Sequence, residues 1–165
     1  MKVVVADTGV IISLIHINQL DLIEKIFVDY YIADAVWIEL NNYDNPDFDK
    51  SQLKNLKSKV VQIHSKNHLS MVMDYGESES VILYEELNAD YLLIDDNKAR
   101  LVAESLNVNC IGTLGLLLKA KQKGLIKELR PLFEKMLMAG RYFSLKLLND
   151  ILDKFGESEL KNNNR

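Results

Sequence analysis

The sequence predicts an α/β domain built on a central parallel sheet with helices over both faces. Two observations carry that expectation. Short, β-branched apolar runs recur along the chain, and each is followed by a stretch with apolar residues at helical spacing. The first run, KVVVA at 2–6, is continuous rather than alternating, which is the pattern of a strand buried on both faces. The last part of the chain contains only helical patterns. The expected architecture is therefore a three-layer α/β/α unit with additional C-terminal helices.

The elements follow in order. After the strand at 2–6, GVIISLIHINQLDLIEKIF places Ile11, Leu14, Ile15, Leu20, Leu22, Ile23, Ile26 and Phe27 at helical spacing, and Asp7 or Thr8 caps it. DYYIAD reads as a second strand and AVWIELNNY as a helix bearing Glu39. Residues 41–59 are rich in Lys, Asp and Asn around Pro46, and read as a loop with a short helix over 50–56. VVQIH, 60–64, is a third strand. GESESVILYEELN is a helix, DYLLIDD a strand ending in Asp95 and Asp96, KARLVAESLN a helix and VNCIG a short strand. TLGLLLKAKQKG is a helix closed by Gly124. IKELRPLFEKMLMAG and SLKLLNDILDKFG supply two more amphipathic helices. Residues 1–125 thus form the α/β domain, 126–157 form helices packing on it, and 158–165 form a polar tail.

Composition narrows the function classes. At 165 residues the chain suits one domain with a sizeable core. Its net charge of −4 provides no global basic field for nucleic acid, although a local patch or bound cations would serve. A single cysteine, Cys110, excludes an internal disulfide framework and fits a reducing cytoplasm. Its apolar neighbours read it as a packed thiol, not a nucleophile. No stretch is long enough to cross a bilayer, and the N-terminal run lacks the form of a signal peptide.

Asp7 opens an Asp-Thr-Gly tripeptide, which is also the active-site signature of aspartic proteases. Alternation of strands and helices excludes that β-rich fold. In an open parallel sheet, ligands bind beyond the carboxyl ends of the strands, and the acidic residues that reach this edge are Asp7, Glu39, Glu77, Glu79, Asp95 and Asp96. Crowded carboxylates repel one another, and a divalent cation relieves that cost. All-oxygen ligand sets suit Mg²⁺ or Mn²⁺. In each adjacent pair one residue is expected to serve only the helix, and Glu79 and Asp96 are favoured for the site. Gly9 stands where a haloacid-dehalogenase-like phosphatase needs its second Asp, and no phospho-acceptor Asp follows VVQIH as a receiver domain requires. His16, His64 and His68 lack metal-ligand spacing, and no Ser-His-Asp order is present.

Three motifs together resemble the PIN-domain family nearly end to end: VVVADTGVIISL, AVWIEL, and DYGESESVILYEELNADYLLIDDNKARLVAESLNV. GTLGLLLKAKQKGLI and MAGRYFSLKLLNDILDKFGE are similar to a prokaryotic subfamily close to VapC-type toxins. The resemblance implies a PIN-like fold and a Mg²⁺- or Mn²⁺-dependent endoribonuclease. Asp7 and Glu39 take its first and second acidic positions, Glu79 (or Glu77) the third, and Asp96 (or Asp95) the fourth. Thr8 supports the site by hydrogen bonding and Asn97 assists at the same edge. It also implies RNA as substrate, and a homodimer and a small antitoxin protein as partners; the cysteine usage and the lack of a bilayer-length apolar stretch lead to the expectation of a cytoplasmic location with no membrane association. Lys98 and Arg100 are the best-placed RNA-binding cations. The rival reading is a non-catalytic PIN-fold module that binds RNA or protein.

Overall fold

The computed structural model describes residues 2–161. Five strands, β1 (Val3–Ala6), β2 (Asp29–Ala33), β3 (Val60–Val61), β4 (Tyr91–Leu93) and β5 (Cys110–Ile111), form one sheet in the order β3-β2-β1-β4-β5. Every neighbouring pair is parallel. The central strand shows why: Val4, Val5 and Ala6 are fully buried, as a strand covered on both faces must be.

Among the described residues eight α-helices connect and cover the strands: α1 (Thr8–His16), α2 (Leu22–Ile26), α3 (Asp34–Asn42), α4 (Tyr75–Glu86), α5 (Asn97–Ser105), α6 (Thr113–Gln122), α7 (Arg130–Met138) and α8 (Leu145–Lys154). With the right-handed crossovers that parallel strands adopt, the strand order puts α1 and α2 on one face and α4 and α5 on the other, a three-layer α/β/α arrangement. α1 is buried from Val10 through Ile15, because α3, α6 and α7 all pack on it. Phe133 and Met136 of α7 and Leu148 and Leu152 of α8 join the same apolar core.

The single helix expected over 9–27 is two. Its apolar spacing continues through Ile17 and Leu20, but Asn18 adopts a left-handed φ of 55°, which ends α1, and α2 starts afresh at Leu22. The expected third strand over 60–64 pairs only at Val60 and Val61, because His64 N turns away to the Glu86 carboxylate. The short helix of the polar loop is a 3-10 helix spanning Lys50–Lys59. Within the stretch expected as a tail from 158, Leu160 is buried, and its backbone exchanges hydrogen bonds with the Asn149 side chain. Residues 162–165 lie outside the described residues.

The sheet order places the topological switch point between β1 and β4. Strands leave β1 toward β2 in one direction and β4 toward β5 in the other, so a crevice opens beyond their carboxyl ends.

Candidate metal centre

A cavity of about 510 Å³ occupies that crevice. Six acidic side chains line it: Asp7, Glu39, Asp74, Glu77, Asp95 and Asp96. Thr8, Gly9, Ile12 and the segment 140–143 complete the wall.

Asp7 follows β1 directly and is the N-cap of α1, accepting from Gly9 N at 3.3 Å. Ser80 Oγ of α4 approaches its Oδ1 at 3.4 Å. Burial pushes the Asp7 carboxyl up to about 7, and the neighbouring charges of Glu77 and Glu39 push the same way, against the hydrogen bonds from Gly9 and Thr8. Glu39, in the second turn of α3, is held at both oxygens. Thr8 Oγ1 donates to Oε2, and Gly76 N donates to Oε1 at 3.0 Å. A Cβ at position 76 would lie 2.5 Å from both oxygens, so the start of α4 can approach Glu39 this closely only as glycine.

Glu77 and Glu79 sit on opposite sides of α4, since two residues turn a helix by about 200°. Of the α4 residues, Glu77 lines the cavity, while Gly76 and Ser80 reach behind it to Glu39 and Asp7. Glu77 Oε2 accepts from Asp74 N at 3.2 Å, half of a capping box at the start of α4. Burial raises the Glu77 carboxyl above its usual range; the bond from Asp74 opposes this, and the charges of Asp96, Asp74 and Glu39 add to it. Glu79 is buried and absent from the wall. Its Oε2 accepts from Ala35 N at 3.1 Å and so caps the first turn of α3.

Asp95 and Asp96 both face the cavity but are bound differently. Asp96 is the N-cap of α5, and its Oδ1 accepts from Lys98 N at 2.8 Å and Ala99 N at 2.9 Å. Asp95 is tied on both oxygens, to Thr113 N at 2.7 Å, Thr113 Oγ1 at 2.6 Å and Ser13 Oγ at 3.2 Å. Asn97 starts α5 outside the cavity wall. Lys98 lines an adjoining cleft that shares Asp74, Glu77 and Asp96 with the main cavity. Arg100 is committed elsewhere, its Nε to Glu104 at 2.7 Å.

Sequence reading passed over Asp74, Ser13, Ser80, Thr113 and Arg141. Arg141 comes from the loop between α7 and α8, and it donates to Ser13 Oγ at 2.9 Å and Gly9 O at 3.1 Å. Its only signal in the sequence was a lone cation just after a helix-ending glycine, Gly140 at φ 75°.

The donor set is all oxygen and strongly anionic, which fits Mg²⁺ or Mn²⁺ and not a thiolate- or imidazole-bound ion. Among the described residues the wall carries six carboxylates and one guanidinium, an excess of negative charge that a divalent cation would offset. Among the described residues, no three carboxylate, His or Cys groups stand close enough to form a ready-made ligand cluster. No helix among them is long and apolar enough to cross a membrane.

No curated protein and no solved structure matches the chain. A family model, DUF3368, described as a PIN domain, matches residues 3–157. That span runs from the first residue of β1 to beyond α8, and on it the chain belongs to the PIN-domain family.

Proposed function

We propose that this PIN domain is a metal-dependent endoribonuclease that hydrolyses RNA phosphodiesters, as the toxin of a type II toxin–antitoxin pair. PIN domains are generally metal-dependent nucleases, and membership in that family gives the reaction class. The observation that carries the reading is the convergence of Asp7, Glu39, Glu77 and Asp96 on one cavity at the switch point. We assign the third acidic position to Glu77 because it lines the cavity, whereas Glu79 is spent on capping α3.

Bound among these oxygens, Mg²⁺ or Mn²⁺ supplies Lewis acidity and neutralises phosphate charge. The protein's part is orientation. Gly9 N fixes the Asp7 carboxylate, while Thr8 and Gly76 hold the two Glu39 oxygens at a set angle. Asp96 spends one oxygen on the start of α5 and keeps its carboxylate at the cavity wall. Lys98, in the adjoining cleft, supplies positive charge for the RNA backbone. RNA, a second copy of the chain and a small antitoxin protein are the partners that go with this reading.

The test is Mn²⁺-dependent cleavage of RNA by the purified protein beside Asp7→Asn. The wild type should cut, and Asp7→Asn should lose cleavage while keeping its fold. For the toxin assignment, expression should arrest growth and Asp7→Asn should relieve the arrest. Equal cleavage by the two proteins would overturn the assignment of the site.

A further inference from the structure

Among the described residues, Arg141 is the one cationic side chain in the wall of the acidic cavity. It is not loosely placed. Its Nε and Nη2 are anchored on Ser13 Oγ and Gly9 O, both in α1, the helix that Asp7 caps. Asp95 lies 3.8 Å from Nη2, and the Arg141 side chain is 25 % exposed. At that distance Asp95 is an ion-pair partner and closes no bidentate hydrogen-bonded fork with Arg141; its oxygens accept instead from Thr113 and Ser13. A guanidinium has five N–H donors and these anchors use two, so three remain on a group that lines the cavity. Tyr142 beside it is fully exposed and offers a ring at the rim.

A phosphodiester entering this cavity meets six carboxylates, so a fixed cation on the same wall has a clear electrostatic use. We propose that Arg141 is a substrate-binding residue whose guanidinium takes a non-bridging oxygen of the RNA phosphate. Its anchors on Gly9 and Ser13 hold that phosphate at a fixed offset from Asp7. The inference rests on the nuclease reading, but it predicts a binding contact that can be read without turnover.

The experiment uses the full chain, with Arg141→Ala and Arg141→Lys, in two measurements. The first is fluorescence anisotropy of a labelled single-stranded oligoribonucleotide with Ca²⁺ in place of Mn²⁺, intactness of the RNA being checked afterwards. The second is steady-state cleavage in Mn²⁺ with and without added guanidinium. Arg141→Ala should weaken RNA binding about 10–100-fold, as loss of a charged hydrogen-bonding group does. Arg141→Lys should recover part of it, guanidinium should restore part of the cleavage lost by Arg141→Ala, and Mn²⁺ affinity by calorimetry should be kept or increased. RNA affinity unchanged in Arg141→Ala, or lowered Mn²⁺ affinity with no guanidinium rescue, would overturn the proposal in favour of a purely structural anchor. A wild type that binds RNA through Arg141 without cutting it would sink the nuclease reading and leave the phosphate contact standing. A wild type that neither binds nor cuts RNA would overturn both.

Discussion

Asp7 does two jobs that conflict. As the cap of α1 it belongs on the strand end, yet burial there costs it its charge, and its carboxyl rises to about 7. A carboxyl with a raised native pKa contributes stability that is complete below its unfolded pKa and is lost as pH rises through the native one. Metal-free protein should therefore lose stability between about pH 4 and pH 7 on account of this group. Asp7→Asn, with no charge to bury, should melt about 2–4 °C higher than the wild type at pH 7.5 in EDTA, by calorimetry, for a gain of about 1 kcal/mol. Gly76→Ala makes a complementary prediction. The new Cβ would collide with the flexible end of Glu39 and not with backbone, so melting should change little. Displacing Glu39 from Gly76 N and Thr8 should nonetheless cost about 10–100-fold in Mn²⁺ affinity by calorimetry. That Asp7, Glu39 and Thr8 reach the crevice was legible in the sequence because each stands at a strand end or within two helical turns of it. That Glu77 and not Glu79 lines the crevice was not legible, since acidic residues suit any first turn; only the packing of α3 on α4 shows which side of the helix faces it.

At the scale of elements, two carboxylates act as bolts between segments distant in sequence. Glu86, at the end of α4, accepts from His64 N at 2.9 Å and Ser65 N at 2.7 Å, and hydrogen bonds from Ser65 and His64 hold it down at about 2. A depressed carboxyl stabilises above its unfolded pKa and loses that contribution as pH falls through the native one. The stability gap between wild type and Glu86→Gln should thus be full at pH 7 and shrink from about pH 4.5 downward, as urea titrations at several pH values would show. Glu157 does the same for α7, accepting from Leu129 N and Arg130 N at 2.8 Å each and pairing with Lys121. Burial pushes Glu157 up, and the bonds from Lys121, Arg130 and Leu129 override it to leave the carboxyl below its usual range. Glu157→Ala should cost about 1–2 kcal/mol in chemical denaturation, the loss of a partly buried cap. Neither bolt could be read in advance. Periodicity reports which residues face the core, but a carboxylate that caps a helix many residues away has no local pattern. The same limit hid the break at Asn18, where apolar spacing continues through a left-handed residue.

For the whole molecule, the parallel sheet with helices over both faces was foreshadowed by the alternation of runs and helices, but the order β3-β2-β1-β4-β5, and with it the crevice between β1 and β4, was not. What alternation could not show is that the loop between α7 and α8 folds back to finish the cavity wall. Binding at that cavity should register globally. Mn²⁺ at about a hundred times its dissociation constant should stabilise the fold by about 2.7 kcal/mol, a rise of about 5–10 °C in melting temperature, and Asp7→Asn should show little of it.

The bond from Arg141 to Gly9 joins residues 132 positions apart, with β2 to β5 and every helix from α2 to α7 lying between them in the chain. That separation is also an interval of time. A growing chain exposes Asp7 at the start of synthesis and receives Arg141 only after all five strands and α1 to α7 have been made. Chemistry that depends on both residues stays silent in the unfinished chain and begins once the loop beyond α7 has left the ribosome.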